Sequence, residues 1–186
     1  MFGNDVVDLN AAELQSNWER RGFLEKIYSR SEQDLIRSSP HPGIQVWVLW
    51  SMKEAVYKAW SRLYLQKEYA PSKIHCELLR GEGSKVSGTV HYHNSTFYTR
   101  TQVGKDFIHT TAQLGNNHNK LKSLLVRDYP ADYEVYLRDI HFMPETTVII
   151  KDELGIPSLY DRAKRSTHPV SISHHGIFLG IIQREI

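Results

Sequence analysis

The chain reads as an α+β protein on three observations. A short β-branched strand, Asp5-Val6-Val7-Asp8-Leu9, stands near its start, and one long amphipathic helix follows Pro42 and Gly43. From Lys85 onward the hydrophobic period changes from helical to alternating. Together these predict antiparallel strands packed against helices in a single domain over residues 1–186, with room for two unequal lobes parting near residues 115–120.

Taken in order, the opening strand carries a carboxylate at or near each end. Asn10, with Glu13 three residues on, predicts a capped helix through about Arg20, which Gly22 interrupts. Phe23–Tyr28 resumes as a short helix, and Ser31-Glu32-Gln33-Asp34 resembles a second capping box opening a helix to about Arg37. Pro40, Pro42 and Gly43 predict a loop. The main helix then runs to about Gln66, with Leu49, Met52, Val56, Ala59 and Leu63 as its buried stripe. Val86, Val90 and Tyr92, then Ile108, Thr110, Ala112 and Leu114, alternate as strands do. Turn residues at Asn94-Ser95 and Gly104-Lys105-Asp106 make a three-stranded meander of them. Gly115–Lys120 is the most linker-like stretch. Tyr133, Val135 and Leu137 alternate again, Val148–Ile150 is a short apolar run, and Gly155-Ile156-Pro157 marks a turn. Val170–Ser173 and Ile177–Ile182 flank His174-His175-Gly176, and the second run, apolar on both faces, predicts a central strand.

Composition narrows the function. The chain is 40% hydrophobic and 24% charged, enough to bury a core, and its formal charge of +2 gives no general attraction to nucleic acid. No run approaches the roughly 20 apolar residues that span a bilayer, and no signal peptide is visible, so a cytoplasmic location is expected. The single cysteine, Cys76, excludes an internal disulfide and reads as a structural thiol.

Glu54 and Lys58 lie one turn apart, away from the buried stripe. Taken alone they make a solvated ion pair worth about 0.2–0.5 kcal/mol. With a second acid such as Asp5 they could instead hold a hard divalent cation and neutralise a phosphate. Gly3-Asn4-Asp5-Val6-Val7-Asp8-Leu9, followed by Trp50-Ser51-Met52-Lys53-Glu54-Ala55-Val56-Tyr57-Lys58, resembles the two signature blocks of the 4'-phosphopantetheinyl transferase superfamily. Arg21–Tyr28 with Ser31-Glu32, and Gly155-Ile156-Pro157 with Val170–His174, resemble two further family segments, in the order of the holo-acyl-carrier-protein synthase group.

That resemblance implies Mg²⁺-dependent transfer of the phosphopantetheine arm of coenzyme A to a serine of an apo acyl or peptidyl carrier protein, releasing 3',5'-ADP. It implies Asp5 and Glu54 as metal ligands, Glu54 and Lys58 as the catalytic pair, and Lys58, Ser173 and His174 as contacts to coenzyme A. Two departures stand out. Val7 occupies the place of a third metal carboxylate, and Ile156 that of a lysine that would grip a coenzyme A phosphate, for which Arg162, Lys164 and Arg165 are nearby substitutes. His175 receives no role. His91 and His93 alternate onto one strand face without a zinc-like partner. Trp47, Trp50 and Trp60 are expected to pack. An acidic carrier calls for a basic docking face, and Arg20, Arg21, Lys26 and Arg30 around Phe23 are the candidates. The alternatives are a non-catalytic relative that binds carrier protein or coenzyme A, and a metal-dependent phosphohydrolase using the same acids.

Overall fold

The computed structural model describes residues 1–115 and 121–184, without the side chains of Arg80 and Glu82. The expected lobe boundary falls on residues 115–120, of which 116–120 lie outside the described part. Strand β1 (Phe2–Asp8) leads into helices α1 (Leu9–Gln15), α2 (Phe23–Ile27), α3 (Arg30–Ser38) and α4 (Pro42–Tyr64). A single 3-10 turn at Pro71–Lys73 precedes strands β2 (His75–Glu82), β3 (Lys85–Tyr92), β4 (Ser95–Val103) and β5 (Phe107–Leu114). The rest comprises β6 (Leu121–Arg127), α5 (Tyr133–Asp139), β7 (Thr147–Lys151), β8 (Pro157–Asp161), β9 (Ser166–His175) and β10 (Phe178–Arg184).

Two five-stranded antiparallel sheets result, ordered β1-β5-β4-β3-β2 and β6-β10-β9-β8-β7. Numbered within its own half, each sheet has the order first, fifth, fourth, third, second. The chain is thus built from two units of one topology, each with its own apolar core. The first unit devotes the residues between its first and second strands to four helices; the second places only α5 there.

Helix α4 is buried around most of its girth. Val46–Leu49, Ser51–Lys53, Ala55, Val56 and Ala59–Ser61 are all inside, well beyond the expected stripe, because α4 lies on the first sheet and is covered by α3 on another side. Trp50, Glu54, Tyr57 and Lys58 remain as the open face. Pro42 is the first residue of the helix and not part of the loop, as suits a residue without an N–H to satisfy. At the crossing with β1, Gly3 is required: a Cβ there would stand 2.2 Å from the Ala55 carbonyl and 2.7 Å from the Ala59 nitrogen.

Three boundaries differ from expectation. Helix α1 is capped by Asp8, whose Oδ1 accepts from the Asn10 and Ala11 N–H groups at 3.0 and 3.1 Å, and it ends at Gln15. Helix α3 is capped by Ser29, which forms the capping box with Glu32, so the register lies two residues upstream of Ser31. Residues 133–137 are helix α5, not a strand: Asp132 caps it through the Val135 N–H, and Leu137 enters the second core. His91 and His93 do not share a strand face, since His93 sits in the β3–β4 turn at φ 49° and stacks on Trp60. No described helix is long and apolar enough to cross a membrane.

The edge strand β1 joins the two units. Asn4 N–H donates to Ser171 Oγ at 3.0 Å, and Asn4 Nδ2 donates to Ser173 Oγ at 2.9 Å and stands 3.3 Å from His109 Nε2. Asp8 N–H donates to His175 Nδ1 at 2.9 Å, while Asp8 Oδ2 accepts from the Ile177 N–H at 3.1 Å. Gly176, at φ 54°, brings the β9–β10 turn so close that a Cβ would lie 2.1 Å from that oxygen.

Burial, and then the charge of Lys58, push the His109 imidazole down to about 4, so it is neutral in the fold. The unfolded chain takes up that proton nearer the ordinary 6.5, so the unfolded state binds more protons between the two values and stability rises as pH rises through them. The contribution of neutral His109 is complete above 6.5 and is lost as pH falls to about 4, by roughly 3 kcal/mol at 1.36 kcal/mol per unit. Denaturant titrations across this range are expected to show that loss, and His109→Gln to reduce it.

Candidate functional site

The strand β1 and the open face of α4 bring Asp5, Glu54 and Lys58 together. Lys58 Nζ donates to Asp5 Oδ1 at 3.0 Å, and Asp5 Oδ2 is buried with no hydrogen-bond partner. Glu54 has its carboxyl raised above the ordinary range, first by burial and next by the negative charge of Asp5. Two acids thus press on one another with one lysine between them, and one carboxylate oxygen is unanswered. Such a pair suits a hard divalent cation, which takes carboxylate oxygens and fills its remaining positions with water or phosphate. Among the described residues, no three His, Cys, Asp or Glu side chains gather to hold a metal, so the donor set here is two carboxylates.

Two clefts flank this cluster. One, of about 280 Å³, is lined by Asp5, Glu54, Trp50, Gln15, His174 and His175 among others. The other, of about 200 Å³, lies between α4 and the second unit, against Lys58, Arg62, Lys67, Gly155–Pro157 and Ile172. His174 is exposed at the first cleft. Ser173, its neighbour on the strand, is buried and held by Asn4, so strand alternation separates the two residues that the resemblance groups together.

Several contributors were missed by sequence reasoning. The Tyr69 ring contacts Trp50 and Tyr57, 6.2 and 4.7 Å between centroids, and these residues flank Glu54 on the same helix face. Its hydroxyl is buried and falls short of a geometric hydrogen bond, yet burial and then the Glu54 charge raise its pKa strongly. Beside Ile156 the cations are Lys67 and Arg62. Arg162, Lys164 and Arg165 lie in the β8–β9 turn, where Lys164 pairs with Asp161 at 3.9 Å. Arg62 also staples the units, donating to the carbonyls of Pro157 and Val170 at 2.7 and 2.6 Å. No periodic or motif signal marks Tyr69 or Lys67.

Arg20, Arg21, Lys26 and Arg30 are exposed. Phe23 is buried beneath them, so it cannot present an apolar contact. The apolar residue displayed nearby is Leu14, 88% exposed. Trp60 packs in the core, whereas Trp50 and the largely buried Trp47 line the cleft.

A family model described as the 4'-phosphopantetheinyl transferase superfamily matches residues 1–114, more than half of the chain. The chain belongs to the 4'-phosphopantetheinyl transferase superfamily. The matched span is β1 to β5 with α1–α4, so this transferase-superfamily unit contains Asp5, Glu54 and Lys58, while His174 comes from the second unit. Among solved structures, the holo-[acyl-carrier-protein] synthase of Thermotoga maritima is similar at 14% identity, with a TM-score of 0.45 over 82% of this chain and 77% of that one. No curated protein matches.

Proposed function

We propose that this member of the superfamily transfers the 4'-phosphopantetheine arm of coenzyme A to a serine of an apo carrier protein. The observation that carries the reading is the Asp5–Glu54–Lys58 cluster at the junction of two clefts, with one Asp5 oxygen left unpartnered. Asp5 and Glu54 would hold Mg²⁺, which when bound neutralises diphosphate charge and polarises its oxygens.

The chain's own residues do the rest. Glu54, made more basic by burial and by Asp5, accepts the serine hydroxyl proton. The serine oxygen then bonds to the phosphorus bearing the pantetheine arm as the bond from that phosphorus to the bridging oxygen breaks, and 3',5'-ADP leaves with the electron pair. Lys58 exchanges part of its hold on Asp5 for the phosphate oxygens. Arg62 and Lys67 supply positive charge along the second cleft, in place of the lysine absent at Ile156. Tyr69 packs against the helix face carrying Glu54 and limits its rotamers. Phosphoryl transfer rests mainly on such positioning and charge neutralisation. The exposed Arg20, Arg21, Lys26 and Arg30 suit an acidic carrier.

Incubation with apo carrier protein, coenzyme A and Mg²⁺ is expected to add one phosphopantetheine to the carrier by mass spectrometry. Glu54→Gln is expected to lower that rate on the order of a hundredfold or more. A folded protein that modifies no member of a carrier panel overturns the reading; release of phosphate or nucleotide from coenzyme A without carrier would make it a phosphohydrolase. Tyr69→Phe, which keeps the packed ring and removes only an unbonded hydroxyl, is expected to change the transfer rate by less than about threefold and the thermal midpoint little.

A further inference from the structure

The face of the first sheet turned away from α4 is polar where a solvent face has no need to be organised. Two rows cross it in register: Asn4, Thr111, Arg100 and Ser87, and beside them Val6, His109, Gln102 and Lys85. The edge strand β6 of the second unit contributes Leu121 and Ser123, and a cleft of about 470 Å³ is left between them. That is within the range of small-molecule sites, roughly 300–1,000 Å³. Lys85 and Arg100 line it with Ser87, Gln102, Thr111 and Ser123, and among the described residues no carboxylate lines it.

His109 gives this cleft a built inner end. It is only 6% exposed, lines the cleft, and has its Nε2 engaged by the Asn4 amide. With the Asn4 amide N–H donating to Nε2, the proton of the neutral ring is on Nδ1. Nδ1 has no hydrogen-bond partner among the described residues. A ring N–H donor, several hydroxyls, the Gln102 amide and two cations face one space. Donors without a matching acid are the chemistry of an oxyanion site, with Arg100 suited to a two-point contact.

The topology adds a second reason. By strand order, β3 and β4 occupy in the first sheet the places of β8 and β9 in the second, and β8–β9 wall the cleft beside Lys58. The polar cleft is walled by β3 and β4 and takes its cations from them, Lys85 from β3 and Arg100 from β4, where the cleft beside Lys58 takes Lys58 and Arg62 from α4. The geometry points to a second ligand site here, for a phosphate-bearing small molecule of nucleotide size, held by Arg100, Lys85 and the Nδ1–H of His109. It carries out no chemistry and stands independently of the proposed transfer.

The test is an NMR titration of the whole protein with inorganic pyrophosphate, set against sodium chloride at matched ionic strength. Saturable shifts of the His109 imidazole and of the Thr101 and Thr111 amides are expected with pyrophosphate only. The double variant Arg100→Ala, Lys85→Ala is expected to weaken them by about tenfold or more. Gln102→Glu, which puts a carboxylate in the cleft, is expected to do the same, and Lys58→Ala to leave them in place. Shifts confined to α4 and its two clefts, shifts reproduced by chloride, or unchanged affinity in the folded cleft variants would each overturn the site. None of these outcomes depends on whether carrier protein is modified.

Discussion

Lys53→Met is expected to destabilise the protein by about 3–5 kcal/mol, measured by denaturant unfolding, although it replaces a charge by an apolar chain of similar length in the core. Lys53 is fully buried, and its three donors have three acceptors: Glu32 Oε2 at 2.9 Å, the Pro71 carbonyl at 2.9 Å and the Ile74 carbonyl. Its ammonium also lies 5.4 Å from the centre of the Tyr28 ring. Glu32 in turn accepts the N–H of Ser29 at 2.7 Å and of Cys76 at 2.8 Å. Removing the lysine leaves a buried carboxylate without its counter-charge and two carbonyls without donors. The cost is in those orphaned groups and not in the pair as such, so Glu32→Gln on the Lys53→Met background is expected to recover part of the loss. A Gln retains one acceptor and supplies an N–H₂ toward the carbonyls. A double-mutant cycle that shows no coupling between the two positions would refute this account.

Gly3→Ala is expected to cost about 1–3 kcal/mol or more, and to reduce activity beyond what the lost stability explains. The added methyl would meet the Ala55 carbonyl and the Ala59 nitrogen, both backbone atoms of a buried helix, so no side-chain rotation relieves the contact. Strand β1 must move off α4. Asp5 is two residues further along the same strand face and Glu54 is adjacent to Ala55, so the displacement widens the gap between the two carboxylates. Activity assayed well below the variant's melting temperature separates the two effects: activity lost in proportion to the unfolded fraction alone would exclude this geometry.

The site was legible where its chemistry sits in compact motifs. Asp5 is at the middle of a short strand, and Glu54 and Lys58 share one face of a helix, so spacing together with the family resemblance was enough to group them. Lys53 was passed over because a hydrophobic-period reading sends lysine to solvent, and only Glu32, 21 residues away, and two turn carbonyls make its burial tolerable. Tyr69 and Lys67 lie in an irregular segment whose path is fixed from outside, by Lys53 and by the Tyr92 hydroxyl on the Glu68 carbonyl. The alternation at Tyr133, Val135 and Leu137 is too short to distinguish a strand from a helix turn, and the Asp132 cap decided it. The shared topology of the two units is invisible to a repeat search because Asp8 to His75 in one corresponds to Arg127 to Thr147 in the other.

The polar seam along β1 bears on how the protein reaches this state. Its hydrogen bonds tie Asn4 to Ser171 and Ser173, and Asp8 to His175 and Ile177, partners separated by 167 to 169 positions. Strand β1 therefore leaves a ribosome well before the β9–β10 hairpin that it is bonded to. The first unit holds β1 meanwhile through β5 and α4, with its own core. Closing so long a loop is slow relative to forming local structure, and the cleft that needs both His174 and Asp5 is complete only when it closes. Ligand-binding competence is thus a late event in folding, arriving after most of the helical signal has formed.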